Sequence, residues 1–191
     1  MQNCQSNFQL IEIIKDQIAN SPEQKITFAD YMDLVLYHPQ EGYYTSGQVD
    51  IGKAGDFFTA ASLGSDFGEL LAENFVEMWD KLGQPNPFDL VEMGAGKGEL
   101  AGDIIRYLSQ HYPQCLQVLH YHIIEQSPAL REQQKAKLKS WENEVTLQWE
   151  TWEEIPDSSL VGCCFSNELV DAFPVHRVQI EAGILQEIYV T

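Results

Sequence analysis

Four groups of residues have types and spacings suited to chemistry. Glu92 stands two residues ahead of Gly94 in a Gly-x-Gly-x-Gly run through Gly94, Gly96 and Gly98. Such a run lets a backbone bend sharply and lets a ligand come closer than any Cβ would allow. A carboxylate beside the start of the following helix repels pyrophosphate and attracts an ammonium group. Glu125 ends an apolar run and precedes Gln126, Ser127 and Pro128, a strand-end position from which an acid can accept both hydroxyls of a ribose. Asn167, Glu168 and Asp171 follow a second apolar run, where open α/β sheets carry their substrate chemistry. Gly55, Asp56, Phe57, Phe58 and Thr59 combine aromatic faces with oxygens, which serves either as a wall for a nucleoside or as loop cover for the core.

The spacing of the glycines separates the ligand classes. A dinucleotide fingerprint, Gly-x-Gly-x-x-Gly, would need its third glycine at position 99, which is Glu99. S-adenosylmethionine carries an ammonium, a sulfonium and no phosphate, and it suits Glu92 better than a nicotinamide or flavin cofactor does.

These groups need elements to hold them. Leu10, Ile14 and Ile18 recur at helical spacing until Ser21 and Pro22, and a second helix is expected from Thr27, with Asp30 three residues on, to about Leu36. A third spans about Ser65 to Leu82 with one broad apolar face. Phe88 to Met93 reads as a strand, Glu99 to Gln110 as a helix and Val118 to Ile124 as the next strand. The stretch HYPQCLQVLH between them reads as a long loop. Leu130 to Leu138 is a charged, mostly exposed helix, and Val145 to Trp149 and Leu160 to Phe165 are further strands. Val175 to Ile180 and Leu185 to Val190 close the chain as two strands joined at Ala182 and Gly183, a hairpin signal.

Composition bounds the rest. The 191 residues suffice for one α/β domain, and no apolar run approaches the roughly 20 residues of a membrane span. A net charge of −18 argues against a nucleic acid partner and suits a basic protein. Cys4, Cys115, Cys163 and Cys164 show no metal-ligand spacing, so no metal is expected, and the adjacent pair reads as small core residues. A reducing compartment follows. The N-terminal residues MQNCQSNFQLIEIIKDQ lack a signal or presequence pattern, which makes the cytoplasm the expected location.

The segments YMDLVLYHPQEGYY (Tyr31 to Tyr44), GDFFTA (Gly55 to Ala60), DFGE (Asp66 to Glu69), VEMGAGKGEL (Val91 to Leu100), EQSPALREQQ (Glu125 to Gln134) and SNELVDAFPVHRV (Ser166 to Val178) occur in that order. Over Ile26 to about Val178 the chain resembles the MidA-like family of class I S-adenosylmethionine-dependent methyltransferases. Its mitochondrial member is an arginine methyltransferase that assists assembly of respiratory complex I. The resemblance implies an α/β, Rossmann-like class I methyltransferase sheet with an N-terminal helical extension. Residues 1–64 would form that extension and residues 65–191 the core. Family members run about twice this length, so the sheet is expected to be incomplete at its C-terminal end, and a homodimer through its unpaired edge is expected at high concentration. Ala61 and Ser62 replace the family's common Pro-Glu pair.

Carried over residue by residue, the resemblance implies a cofactor pocket of Gly55, Asp56, Thr59, Glu92, Gly94, Gly96, Glu125 and Asn167. Glu168 and Asp171 become the catalytic candidates, facing an acceptor arginine on a protein of the respiratory NADH dehydrogenase type. The alternative from another class is a cofactor-binding but catalytically inactive assembly or interaction protein.

Overall fold

A computed structural model describes residues 7–46 and 64–191. The chain divides into two compact units, residues 1–49 with 170–191 and residues 50–169.

The first unit begins with helix α1 (Phe8–Asn20), where the Asn7 side chain accepts from the Leu10 N–H at 3.1 Å. Strand β1 (Ile26–Thr27) runs directly into α2 (Phe28–Tyr37). Thr27 and Asp30 form a capping box as expected. The Thr27 hydroxyl accepts from the Asp30 N–H at 3.0 Å, and the Asp30 carboxylate accepts from the Thr27 N–H at 3.2 Å. Two N–H groups with no partner inside the helix are thereby satisfied.

The second unit follows as α3 (Asp66–Lys81), β2 (Phe88–Met93), α4 (Glu99–His111), α5 (Pro113–Gln117), β3 (Leu119–Ile124), α6 (Pro128–Leu138), β4 (Thr146–Glu150) and β5 (Gly162–Ser166). Its four strands are all parallel, in the order β4-β3-β2-β5. The α/β class and the Rossmann-like parallel sheet are therefore as the sequence implied, with helices at the N-terminus. The HYPQCLQVLH stretch is not the expected plain loop. It contains α5, with Pro113 in the first turn, where a missing N–H costs nothing.

Alternation along the strands divides the sheet into two faces of different chemistry. Phe88, Leu90, Leu119, Tyr121 and Ile123 point to one face and pack against Phe75 and Trp79 of α3 and Ile104, Ile105 and Leu108 of α4. Each such side chain stabilises the fold by about 1.5–3 kcal/mol when fully buried. On the other face, His122 lies between two carboxylates, with Nε2 3.0 Å from Asp89 Oδ1 and Nδ1 2.6 Å from Glu150 Oε2. Asp89 Oδ2 accepts from the Val161 N–H at 2.7 Å, so one polar strap runs from β4 through β3 and β2 to the residue before β5. Cys163 and Cys164 fall on opposite faces of β5. Cys163 packs against the core, but Cys164 is exposed, which corrects its reading as a core residue.

The last three strands belong to the first unit. β6 (Val178–Glu181) and β7 (Ile184–Glu187) form a hairpin whose two loop residues, Ala182 and Gly183, have φ values of 52° and 81°. Two left-handed residues give the turn whose twist suits a hairpin. The second predicted strand breaks at Ile188, whose N–H donates to the Arg177 carbonyl at 2.8 Å. β8 (Tyr189–Val190) then pairs antiparallel with β1.

Candidate functional site

The parallel register brings three strand ends to one level. Met93 of β2 pairs with Ile124 of β3 on one side and with Ser166 of β5 on the other. The residues that follow are Gly94, Glu125 and Asn167, so three of the predicted site residues leave three adjacent strands side by side. The chain passes from β2 to β3 to β4 on one side of β2 and then crosses to β5 on the other. Open α/β sheets bind ligands where the strand order reverses in this way, outside the carboxyl ends of the strands.

The glycine turn has the geometry that its spacing implied. Gly94 and Gly96 have φ values of 67° and 55°, and Gly98, at 79°, caps α4. A left-handed conformation costs an ordinary residue about 1–2 kcal/mol. A Cβ on Gly94 would also sit 2.7 Å from Leu169 Cδ1, whereas one on Gly96 would meet nothing within 4 Å among the described residues. Among the described residues, Gly96 thus leaves the space where a Cβ would stand open beside the helix start.

Glu92 and Glu125 are both buried, in different surroundings. Glu92 is 2% exposed and accepts a hydrogen bond from the Tyr121 hydroxyl at 2.7 Å. Burial pushes its carboxyl up to about 7; the Tyr121 bond opposes the shift and the Glu125 charge adds to it. Near neutral pH Glu92 is therefore divided between its protonated and ionised forms. Glu125 Oε1 accepts from the Ser127 N–H at 2.9 Å, and Oε2 accepts from Gln134 Nε2 at 3.2 Å. Burial raises its carboxyl as well, against the lowering effect of the Ser127 and Gln126 amides, Gln134 and Arg131.

Asn167 is half-buried, and Glu168 after it is exposed with a φ of 48°. Asp171 lies in a short 3-10 turn, Val170–Ala172, and belongs to the other unit, where its charge joins burial in raising the Tyr44 phenol. Gly55, Asp56 and Thr59 lie outside the described residues. The structure therefore gathers Glu92, Gly94, Gly96, Glu125 and Asn167 around the ends of β2, β3 and β5.

Three features escaped the sequence reading. In the sequence Tyr121 reads only as part of an apolar strand, and Gln134 as part of an exposed helix. Gln134 is fully buried, and its four-residue spacing from Leu130 and Leu138 was the available signal. Asp89, His120 and His122 bring three ligand-capable atoms within 4.8 Å of one another, and the alternation of the two histidines along β3 places them on one face. Each ring nitrogen of His122 already lies within hydrogen-bond distance of a carboxylate, Nε2 of Asp89 and Nδ1 of Glu150. A cleft of about 450 Å³ beside Asn143, Val145 and Thr146 contains none of the predicted site residues. Among the described residues no helix is long and apolar enough to cross a membrane.

Residues 70–191 match the family described as "Putative S-adenosyl-L-methionine-dependent methyltransferase". The chain is 35% identical over 185 residues to the protein arginine methyltransferase NDUFAF7 homolog, mitochondrial, of Drosophila melanogaster, a match covering 86% of this chain and 41% of the relative. It is 34% identical to the protein arginine methyltransferase NDUFAF7, mitochondrial, of Bos taurus, over 81% of this chain and 39% of that one. A Burkholderia thailandensis protein solved with S-adenosyl-homocysteine bound superposes with a TM-score of 0.73 at 25% identity, over 96% of this chain and 50% of that one. The chain spans about two fifths of the length of the curated relatives it matches. These relatives are mitochondrial proteins, which overturns the cytoplasmic expectation. That expectation rested on cysteine usage, which does not distinguish one reducing compartment from another, and on the lack of a presequence pattern in the N-terminal residues.

Proposed function

The chain belongs to the S-adenosyl-L-methionine-dependent methyltransferase family matched over residues 70–191, and on that premise we propose that it binds S-adenosylmethionine at the glycine turn and serves methyl transfer to a protein arginine. The observation that carries this reading is the alignment of Gly94, Glu125 and Asn167 at the carboxyl ends of three neighbouring parallel strands. The donor set fits the cofactor. Glu125 offers a carboxylate to a ribose diol, the bare backbone at Gly96 admits close approach, and Glu92 suits an ammonium when ionised. Gly55, Asp56 and Thr59 complete the proposed pocket on the strength of the family resemblance.

When bound, S-adenosylmethionine supplies a methyl group on a positively charged sulfur. The chain's own residues do the positioning, which accounts for most of the rate in an in-line displacement. Glu168 is the proposed orienting acid. Its carboxylate would hold two guanidinium N–H groups and favour charge density on the remaining, attacking nitrogen. Its left-handed backbone supports this role, because such conformations cost energy and cluster at functional sites. The protein acceptor is supported by the names of the curated relatives, and an acceptor on a protein of the respiratory NADH dehydrogenase type by the resemblance. The net charge of −18 suits a basic acceptor.

Calorimetric titration of the chain with S-adenosylmethionine and S-adenosylhomocysteine, repeated on Glu125→Ala, tests the reading. Saturable binding that the substitution weakens supports it, and absence of binding sinks it. Transfer of labelled methyl to arginine in a basic protein then separates an enzyme from a cofactor-binding assembly protein, which would bind without transfer.

A further inference from the structure

We infer that Gln134 is a positioning residue of this site, fixing Glu125 and the glycine turn relative to each other through one side-chain amide; the inference rests on the reading above. Gln134 is fully buried on α6. Its Nε2 donates to the Gly96 carbonyl at 2.8 Å and to Glu125 Oε2 at 3.2 Å, and its Oε1 accepts from Trp149 Nε1 at 3.1 Å. Both amide hydrogens and the amide oxygen are thus engaged, on three different elements of the unit.

The amide can face only one way. The Trp149 indole N–H is a donor and nothing else, so it must meet the oxygen of Gln134. Reversing the amide would set N–H against N–H at Trp149 and oxygen against oxygen at Gly96 and Glu125. Trp149 therefore dictates that Gln134 presents hydrogens to both site groups.

Each contact has a consequence. With Ser127 N–H on Oε1 and Gln134 on Oε2, the Glu125 carboxylate is held from both ends. The bond to Gly96 turns that carbonyl toward α6. A trans peptide directs its C=O and N–H oppositely, so the Lys97 N–H faces away from α6. One glutamine thereby orients the proposed ribose acceptor and a peptide of the turn together.

The test is calorimetric titration of the chain with S-adenosylhomocysteine, using Gln134→Met, which keeps the length of the side chain but loses the amide, beside Glu125→Ala and the double variant. Gln134→Met is expected to weaken binding about tenfold, the loss of one hydrogen bond to a charged group. The double variant is expected to lose clearly less than the sum of the two single losses, because Gln134 acts on the ribose through Glu125 and only its Gly96 bond acts independently. Full additivity of the two losses, or wild-type affinity in Gln134→Met while Glu125→Ala binds weakly, overturns the inference and leaves the cofactor reading standing. No binding by the wild-type chain overturns both. If Gln134→Met melts early, Trp149→Phe removes the indole donor that sets the amide while keeping an aromatic ring; it is expected to weaken binding by a smaller factor, and unchanged affinity overturns the inference.

Discussion

The Tyr121 hydroxyl donates to Glu92 Oε2 at 2.7 Å, and both side chains are buried on the core face of the sheet. A carboxyl held there titrates near 7 in place of its ordinary 4.5, chiefly because burial disfavours its charged form. The folded chain consequently holds a proton that the unfolded chain releases between those two values. The stability that this proton contributes is fully present below the unfolded value and is lost as pH rises through the folded one. Glu92→Gln cannot ionise. Its stability relative to wild type is expected to improve by roughly 3 kcal/mol between about pH 4.5 and pH 8. Urea denaturation at several pH values measures this, and a flat difference would remove Glu92 from the account.

His122 joins Asp89 and Glu150 across β2, β3 and β4. Replacing it with Phe keeps a ring in place but leaves two carboxylates without their shared partner, one of them almost wholly buried. His122→Phe is expected to cost about 2–4 kcal/mol, read as a lower urea midpoint at an unchanged slope. A loss under about 0.5 kcal/mol would mean that solvent already satisfies both acids.

Two glycines should respond in opposite directions to alanine. A Cβ on Gly162 would lie 1.8 Å from the Asp89 carbonyl oxygen, a backbone atom of the neighbouring strand. Gly162→Ala is expected to destabilise by more than about 4 kcal/mol or to give no soluble protein, because β2 and β5 cannot then pair as they do. Gly102 lies inside α4, and its Cβ would make only an ordinary contact, 3.7 Å from Leu138 Cδ2. Gly102→Ala should raise stability by about 0.5–1 kcal/mol through higher helix propensity. Thermal melts of the pair decide both.

What could be read in advance, and what could not, follows from the range of the signals involved. The glycine turn, the Thr27 and Asp30 cap and the Ala182 and Gly183 hairpin are local: a few consecutive residues specify the backbone, and neighbours confirm it. The strand ends at Glu125 and Asn167 were legible because each strand reads as an apolar run that stops at polar residues, buried in β3 and only half-covered in β5. The partners of Glu92 and Glu125 were not. Tyr121 and Gln134 reach them across β3 and α6, and only the register of the strands and the packing of α6 show which polar residues meet. α5 was missed because five residues are too few to display a helical period. Cys164 was misplaced because a short apolar run does not reveal that one of its faces is uncovered.

Glu168 offers the sharpest separation between binding and chemistry. It follows Asn167 at the end of β5, is exposed, and holds a left-handed φ of 48° that a glycine would adopt at less cost. Glu168→Gly is therefore expected to raise stability by about 1 kcal/mol while losing the carboxylate. Glu168→Gln keeps the side chain's shape and removes its charge. If Glu168 orients the acceptor, S-adenosylhomocysteine affinity stays at the wild-type level in Glu168→Gln, and labelled methyl transfer falls by about 10²–10³. Equal loss of affinity and transfer would instead make Glu168 a cofactor contact. Full transfer in Glu168→Gln would end its catalytic candidacy, leaving the strain at this position without a functional account.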